Sequence, residues 1–104
     1  MTTKVENMRS PRTGREIPNQ YIIREYENTM SGNCVQYFQS YSTIIAKMDR
    51  FRPDVKTRKV WLDANKWDYS KTTGKYRNIF LGETKKETER KIADGTYELV
   101  DLNA

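Results

Sequence analysis

The 104-residue chain contains no histidine. Imidazole activates most Ser and Cys nucleophiles, so Ser–His and Cys–His chemistry and every His-containing zinc site are excluded. Cysteine occurs once, at Cys34, which rules out an internal disulfide and a cysteine metal cluster. That residue reads as a small filler in a strand. No apolar run approaches the roughly 18 residues that cross a bilayer, and the opening MTTKVENMRSPRTGRE lacks the hydrophobic stretch of a signal peptide. The expectation is a cytoplasmic protein with no membrane partner. Leu, Ile, Val and Phe together number 19, on the disordered side of the usual limit of about 20%. Two Trp, seven Tyr and three Phe pull the other way, because each buried aromatic removes about 150–250 Å² from water. The balance describes a folded domain with a thin core.

Charge is present in excess and unevenly placed. The net +5 gathers in residues 1–15, at +3, and in residues 47–77, at +6, while the two remaining stretches are each −2. Residues 1–19 hold Pro11, Gly14 and Pro18 with no apolar period, and read as a flexible basic arm carrying Lys4, Arg9, Arg12 and Arg15. Residues 20–104 read as a single domain. Gln20–Tyr26 and Val35–Tyr41 are strand-like runs around the turn-forming Asn28–Asn33, a hairpin with a long loop. Ser42–Asp49 fits a third strand or a short helix, with the β-branched Thr-Ile-Ile favouring the strand; Arg50–Arg58 reads as a loop around Pro53-Asp54, and Lys59–Asp63 as a short strand. Ser70 is placed to cap a helix that Gly82 ends; Thr84 and Glu87 form a capping box for a second that Gly95 ends. Thr96–Leu102 is the last strand. The expected fold is α+β: a small antiparallel sheet of about four to five strands with two short helices on one face.

The start of the first helix offers the clearest candidate site. A helix N-terminus exposes unpaired N–H groups and favours negative charge, yet Lys71 and Lys75 stand here beside Ser70, Thr72 and Thr73. Donors, dipole and ammonium groups together suit a phosphate or carboxylate; an ordinary cap with solvated lysines is the plain alternative. A nucleotide-triphosphate loop does not fit, because Tyr69 occupies its leading-glycine position and Tyr76 its magnesium-binding hydroxyl position. Lys66 and Arg77 would flank the site as further charges, and Trp67 or Tyr69 would stack on bases. More widely, residues 47–69 interleave basic and aromatic side chains, a mixture that suits single strands or RNA. Trp61 and Tyr76 are expected in the core, and Trp67, between Lys66 and Asp68, on the surface.

Asp54 with Glu83 and Lys85 loosely matches the carboxylate–carboxylate–lysine set of magnesium nucleases. Glu83 and Lys85 fall at a helix start and not on a strand beside the first acid. No catalytic residue, metal ligand or cofactor is assigned.

The stretches YFQSYSTIIAKMD and WLDANKWDYSKTTGKYRNIFLGET, with PRTGREIPNQY, resemble a family of small uncharacterised proteins carried by bacteriophages and other mobile elements. The resemblance implies a bacterial host cytoplasm, an early or accessory gene product, and action by binding DNA, RNA or a host defence complex. The leading expectation is therefore a non-enzymatic nucleic-acid-binding module. The alternative is a protein inhibitor or adaptor of anti-CRISPR or other anti-defence type, anchored by Tyr26, Tyr37, Tyr41 and Trp67 on a host nucleic-acid-handling complex. A nuclease and a nucleotide-sequestering protein are the remaining classes. Hairpin edges and exposed tyrosines leave a homodimer open.

Overall fold

The computed structural model describes residues 2–26, 34–49 and 59–103. Strands β1 (Thr2–Arg9), β2 (Glu16–Tyr26), β3 (Cys34–Ser40), β4 (Thr43–Asp49) and β5 (Lys59–Asp63) form an antiparallel meander in sequence order. Helices α1 (Lys71–Leu81) and α2 (Lys85–Ala93) then cross over to β6 (Tyr97–Val100), which pairs with β5 in parallel. The protein is thus α+β with a six-stranded mixed sheet. Two expectations are corrected. A parallel last strand needs a long crossover, and the two helices supply it.

The basic arm is the second correction. Thr2–Arg9 is an edge strand whose register places Val5 opposite Ile23 and Asn7 opposite Tyr21. Its sequence lacks an apolar period because the strand has one neighbour and sends only Met8 into the core. Polar contacts replace the missing apolar ones. Gly14, left-handed at φ 72°, closes the turn with its N–H on the Ser10 carbonyl, Asn7 Nδ2 donates to the Ile17 carbonyl at 3.0 Å, and Arg24 pairs with Glu6.

Period-two alternation explains the sheet. In β3, Cys34, Gln36, Phe38 and Ser40 point to one face and are buried; Val35, Tyr37 and Gln39 point to the other. Cys34 is the strand filler expected. The register aligns Phe38 with Ile22 and Ala46, and Met48 with Val60, so one face carries the core. A bulge opposite Phe38 and Gln39 lets Ile45 and Ala46 both bury completely. Both helices cover this face. Phe80 stacks on Phe38 at 5.9 Å, and the Ser40 and Thr73 hydroxyls share a buried 3.3 Å hydrogen bond.

The helix signals stand where the residues put them. Ser70 Oγ accepts from Thr73 N at 3.1 Å, Gly82 ends α1 in a left-handed conformation with its N–H on the Asn78 carbonyl, and Thr84 and Glu87 complete a capping box. Residues after β6 clamp the far end of the sheet: Asn103 exchanges hydrogen bonds with the Ile44 backbone, and buried Asp63 accepts from Leu102 N at 2.9 Å. The loop around Asn28–Asn33 and that around Pro53-Asp54 lie outside the described residues.

Candidate nucleic-acid interface

Position on α1 decides what each predicted site residue can do. Thr73, Arg77 and Leu81 are spaced by four and lie on one face, and all three are buried. Lys71, Thr72 and Lys75 fall on the other side and are exposed. By helix geometry the N–H groups of Lys71 and Thr72 have no acceptor within the helix, and the first turn holds no acidic residue. An open groove of about 520 Å³ runs beside this turn, lined by Asp68, Tyr69, Ser70, Lys71, Gly74, Lys75, Arg77, Asn78 and Lys85. Tyr69 is 50% exposed, and Lys66 lies over its ring at 5.2 Å. Among the described residues no carboxylate pairs with Lys66, Lys71 or Lys75.

Arg77 is not a flanking surface charge. Its side chain is fully buried; Nη1 donates to the Trp67 carbonyl at 2.6 Å and to Asp68 Oδ1 at 3.3 Å, and Nη2 donates to Asn78 Oδ1 at 2.9 Å. The physical reason is its place in the inward row of α1, where the guanidinium survives burial because Nη1 and Nη2 find acceptors, while Nε has none. Trp67 is corrected with it. The indole is half-buried, packs against the core and lies 5.1 Å under the Arg77 guanidinium, so it offers no free face for a base on that side. Asp68 also accepts from Lys85 at 2.8 Å. Burial raises the Asp68 carboxyl, but the hydrogen bonds and charges of Lys85 and Arg77 outweigh it and hold the group below the ordinary aspartate value. What remains for an anion is Lys66, Lys71 and Lys75 around Tyr69, Ser70 and Thr72.

Of the other mid-chain cations, the described Lys47 and Lys59 do not join this group: Lys59 stands at the start of β5, whereas α1 is reached from its far end at Asp63. Arg50, Arg52, Lys56 and Arg58 lie outside the described residues. Lys47 stands on the sheet face opposite the helices, 5.8 Å over Tyr37 and 5.0 Å over Trp61. The register runs Val5, Ile23, Tyr37, Lys47 and Trp61 across that face in one row. Among the described residues no helix covers it. Trp61 is therefore half-exposed and not a core residue, while Tyr76 packs against the core as expected. Alternation in YIIREY and KVWLD carried the signal for this second surface.

The proposed partner anchors do not form one surface. Tyr37 is on the open sheet face, Tyr26 alternates to the helix side beside Lys4, Tyr41 sits in the β3–β4 turn at 55% exposure, and Trp67 is half-buried against the core. Of the nuclease set, Asp54 is outside the described residues. The Glu83 side chain is 3% exposed, accepts from Thr88 at 3.0 Å and Lys91 at 3.2 Å, and meets the Tyr97 hydroxyl, so it ties α2 to β6. Among the described residues no group of acidic or cysteine side chains is placed to hold a metal ion, and no helix is long and apolar enough to cross a membrane.

A family model described as a family of unknown function (DUF8033) matches residues 3–95, from β1 to the end of α2. No curated protein and no solved structure matches the chain.

Proposed function

The chain belongs to this family of unknown function, DUF8033, and from its residues we propose a non-enzymatic module that grips the phosphate backbone of nucleic acid at the start of α1. One observation carries the reading: Lys71 and Lys75 line one groove with the exposed Tyr69 at a helix N-terminus, Lys66 lies over the Tyr69 ring, and no carboxylate of the described residues is paired to the three lysines. Lysines neutralise phosphates, the two free N–H groups of the first turn add donors, and Tyr69 supplies a face for a base. The phage or mobile-element origin implied by the sequence resemblance belongs to the same proposal, as does a bacterial cytoplasm.

Fluorescence anisotropy with a labelled single strand of about 16 nucleotides tests it, a length at the upper end of common single-strand site sizes. Saturable binding at about 50 mM salt that weakens as salt rises is the expected result. Flat anisotropy at low salt refutes the reading.

A second reading draws on the open sheet face, where Ile23, Tyr37 and Trp61 stand in one row. A half-exposed aromatic row fits the anchor residues of a protein interface, as an inhibitor or adaptor would use. A stoichiometric protein partner that survives nuclease treatment and is lost in Trp61→Ala supports it; loss of the partner with nuclease returns the first reading.

A further inference from the structure

β1 is the outer strand of the sheet, and it carries the most exposed large hydrophobic residue of the molecule's described part, Val5 at 63%. Its neighbours Lys4 and Glu6 are also exposed and lie on the opposite face from Val5. An uncovered edge presents unpaired N–H and C=O groups, and charges usually protect it by repelling whatever approaches. Here the two charges have opposite sign and flank one residue. We infer that β1 pairs antiparallel with β1 of a second copy about a two-fold axis through Val5, joining two sheets into one.

The register follows from side-chain direction and charge. Directly opposed residues of an antiparallel pair share a face, so only axes through a residue keep the helix faces of the two copies aligned. An axis through Lys4 sets lysine against lysine, and an axis through Glu6 sets glutamate against glutamate. Through Val5, each Lys4 faces Glu6 of the second copy. Opposed unlike charges stabilise a cross-strand pair, and like charges destabilise it. On the helix face Glu6 is already held by Arg24, so the pairing would extend that ion pair across the boundary. On the other face, the row of Tyr37, Ile23 and Val5 would meet its own copy at valine. The regular ladder reaches Asn7 before the irregularity at Arg9, which leaves Thr3–Asn7 to pair. Five residues make a small interface, so the dimer is weak and concentration-dependent.

Sedimentation velocity on the full chain from about 10 μM to about 1 mM, spanning the range of weak affinities, reads the monomer–dimer shift. The wild type is expected to dimerise over this range. K4E and E6K alone are each expected to stay monomeric, because each opposes like charges, and an equimolar mixture of the two is expected to associate. Circular dichroism establishes that each variant is folded. A second variant stands apart from the charges: V5C in a C34S background is expected to form a cross-linked dimer on oxidation, since directly opposed Cα atoms lie about 4.5–5.5 Å apart, within disulfide reach. A wild type that is monomeric at about 1 mM overturns the inference, 1 mM being already a feeble affinity. So do single reversals that dimerise like the wild type, a mixture that stays monomeric, or V5C that fails to cross-link.

Discussion

The Arg77 guanidinium lies 5.1 Å above the Trp67 ring and donates to the carbonyl oxygen of the same residue at 2.6 Å. One buried side chain thereby fastens the 64–69 turn to α1 and sets where Tyr69, Ser70 and Lys71 stand. Removing one partner of a buried, hydrogen-bonded charge costs about 3–5 kcal/mol. Arg77→Ala is expected to lose stability near the lower end of that range, because Asp68 keeps partial access to water and a second partner in Lys85. Urea unfolding measures it; a loss below about 1 kcal/mol, the scale of an exposed pair, would contradict the assignment.

Asp68 gives this arrangement a pH dependence. Its folded carboxyl lies below the ordinary aspartate value of 3.8, held there by Lys85 and Arg77 against the opposing effect of burial. The stabilisation is complete above 3.8 and is lost as pH falls through the lower folded value. Asp68→Asn is expected to be less stable than the wild type at about pH 6, with the gap closing towards about pH 3. Urea midpoints across that range decide it; a gap that is constant with pH would contradict the ionic role.

Gly74 has an ordinary helical backbone, and a methyl group there would meet the Arg77 nitrogens and Asp68 Oδ1 at 3.6–3.7 Å, normal contact distances. Gly74→Ala is expected to raise stability by about 0.5–1 kcal/mol through the lower entropy cost of alanine in a helix. A thermal midpoint below that of the wild type would show that the Arg77 cluster cannot accept the methyl group.

Most of the fold is legible in the residues that carry local rules. The alternation of Cys34–Ser40 marks a strand, and Ser70, Gly82, Thr84 and Glu87 mark helix ends. β1 is hidden because an edge strand with one buried residue, Met8, has no pattern to show. The parallel β6 is hidden because pairing depends on the crossover and not on the strand's own residues. At the site, residue type misleads where position does not: the spacing of Thr73, Arg77 and Leu81 points inward, yet an arginine reads as surface. Trp61 shows the converse, an aromatic read as core that β-alternation turns to the open face.

The loaded cations are Lys66, Lys71 and Lys75, and the most direct test counts them. Each phosphate neutralised contributes about −0.7 to the slope of log affinity against log salt for a single strand. The wild type is expected to show a slope near −2, and Lys71→Ala with Lys75→Ala to flatten it by about 1.4. Folding stability should rise slightly in the double variant, by about 0.2–0.5 kcal/mol, as the i,i+4 repulsion disappears. A slope that the double variant leaves unchanged would contradict the account and move the binding surface away from α1.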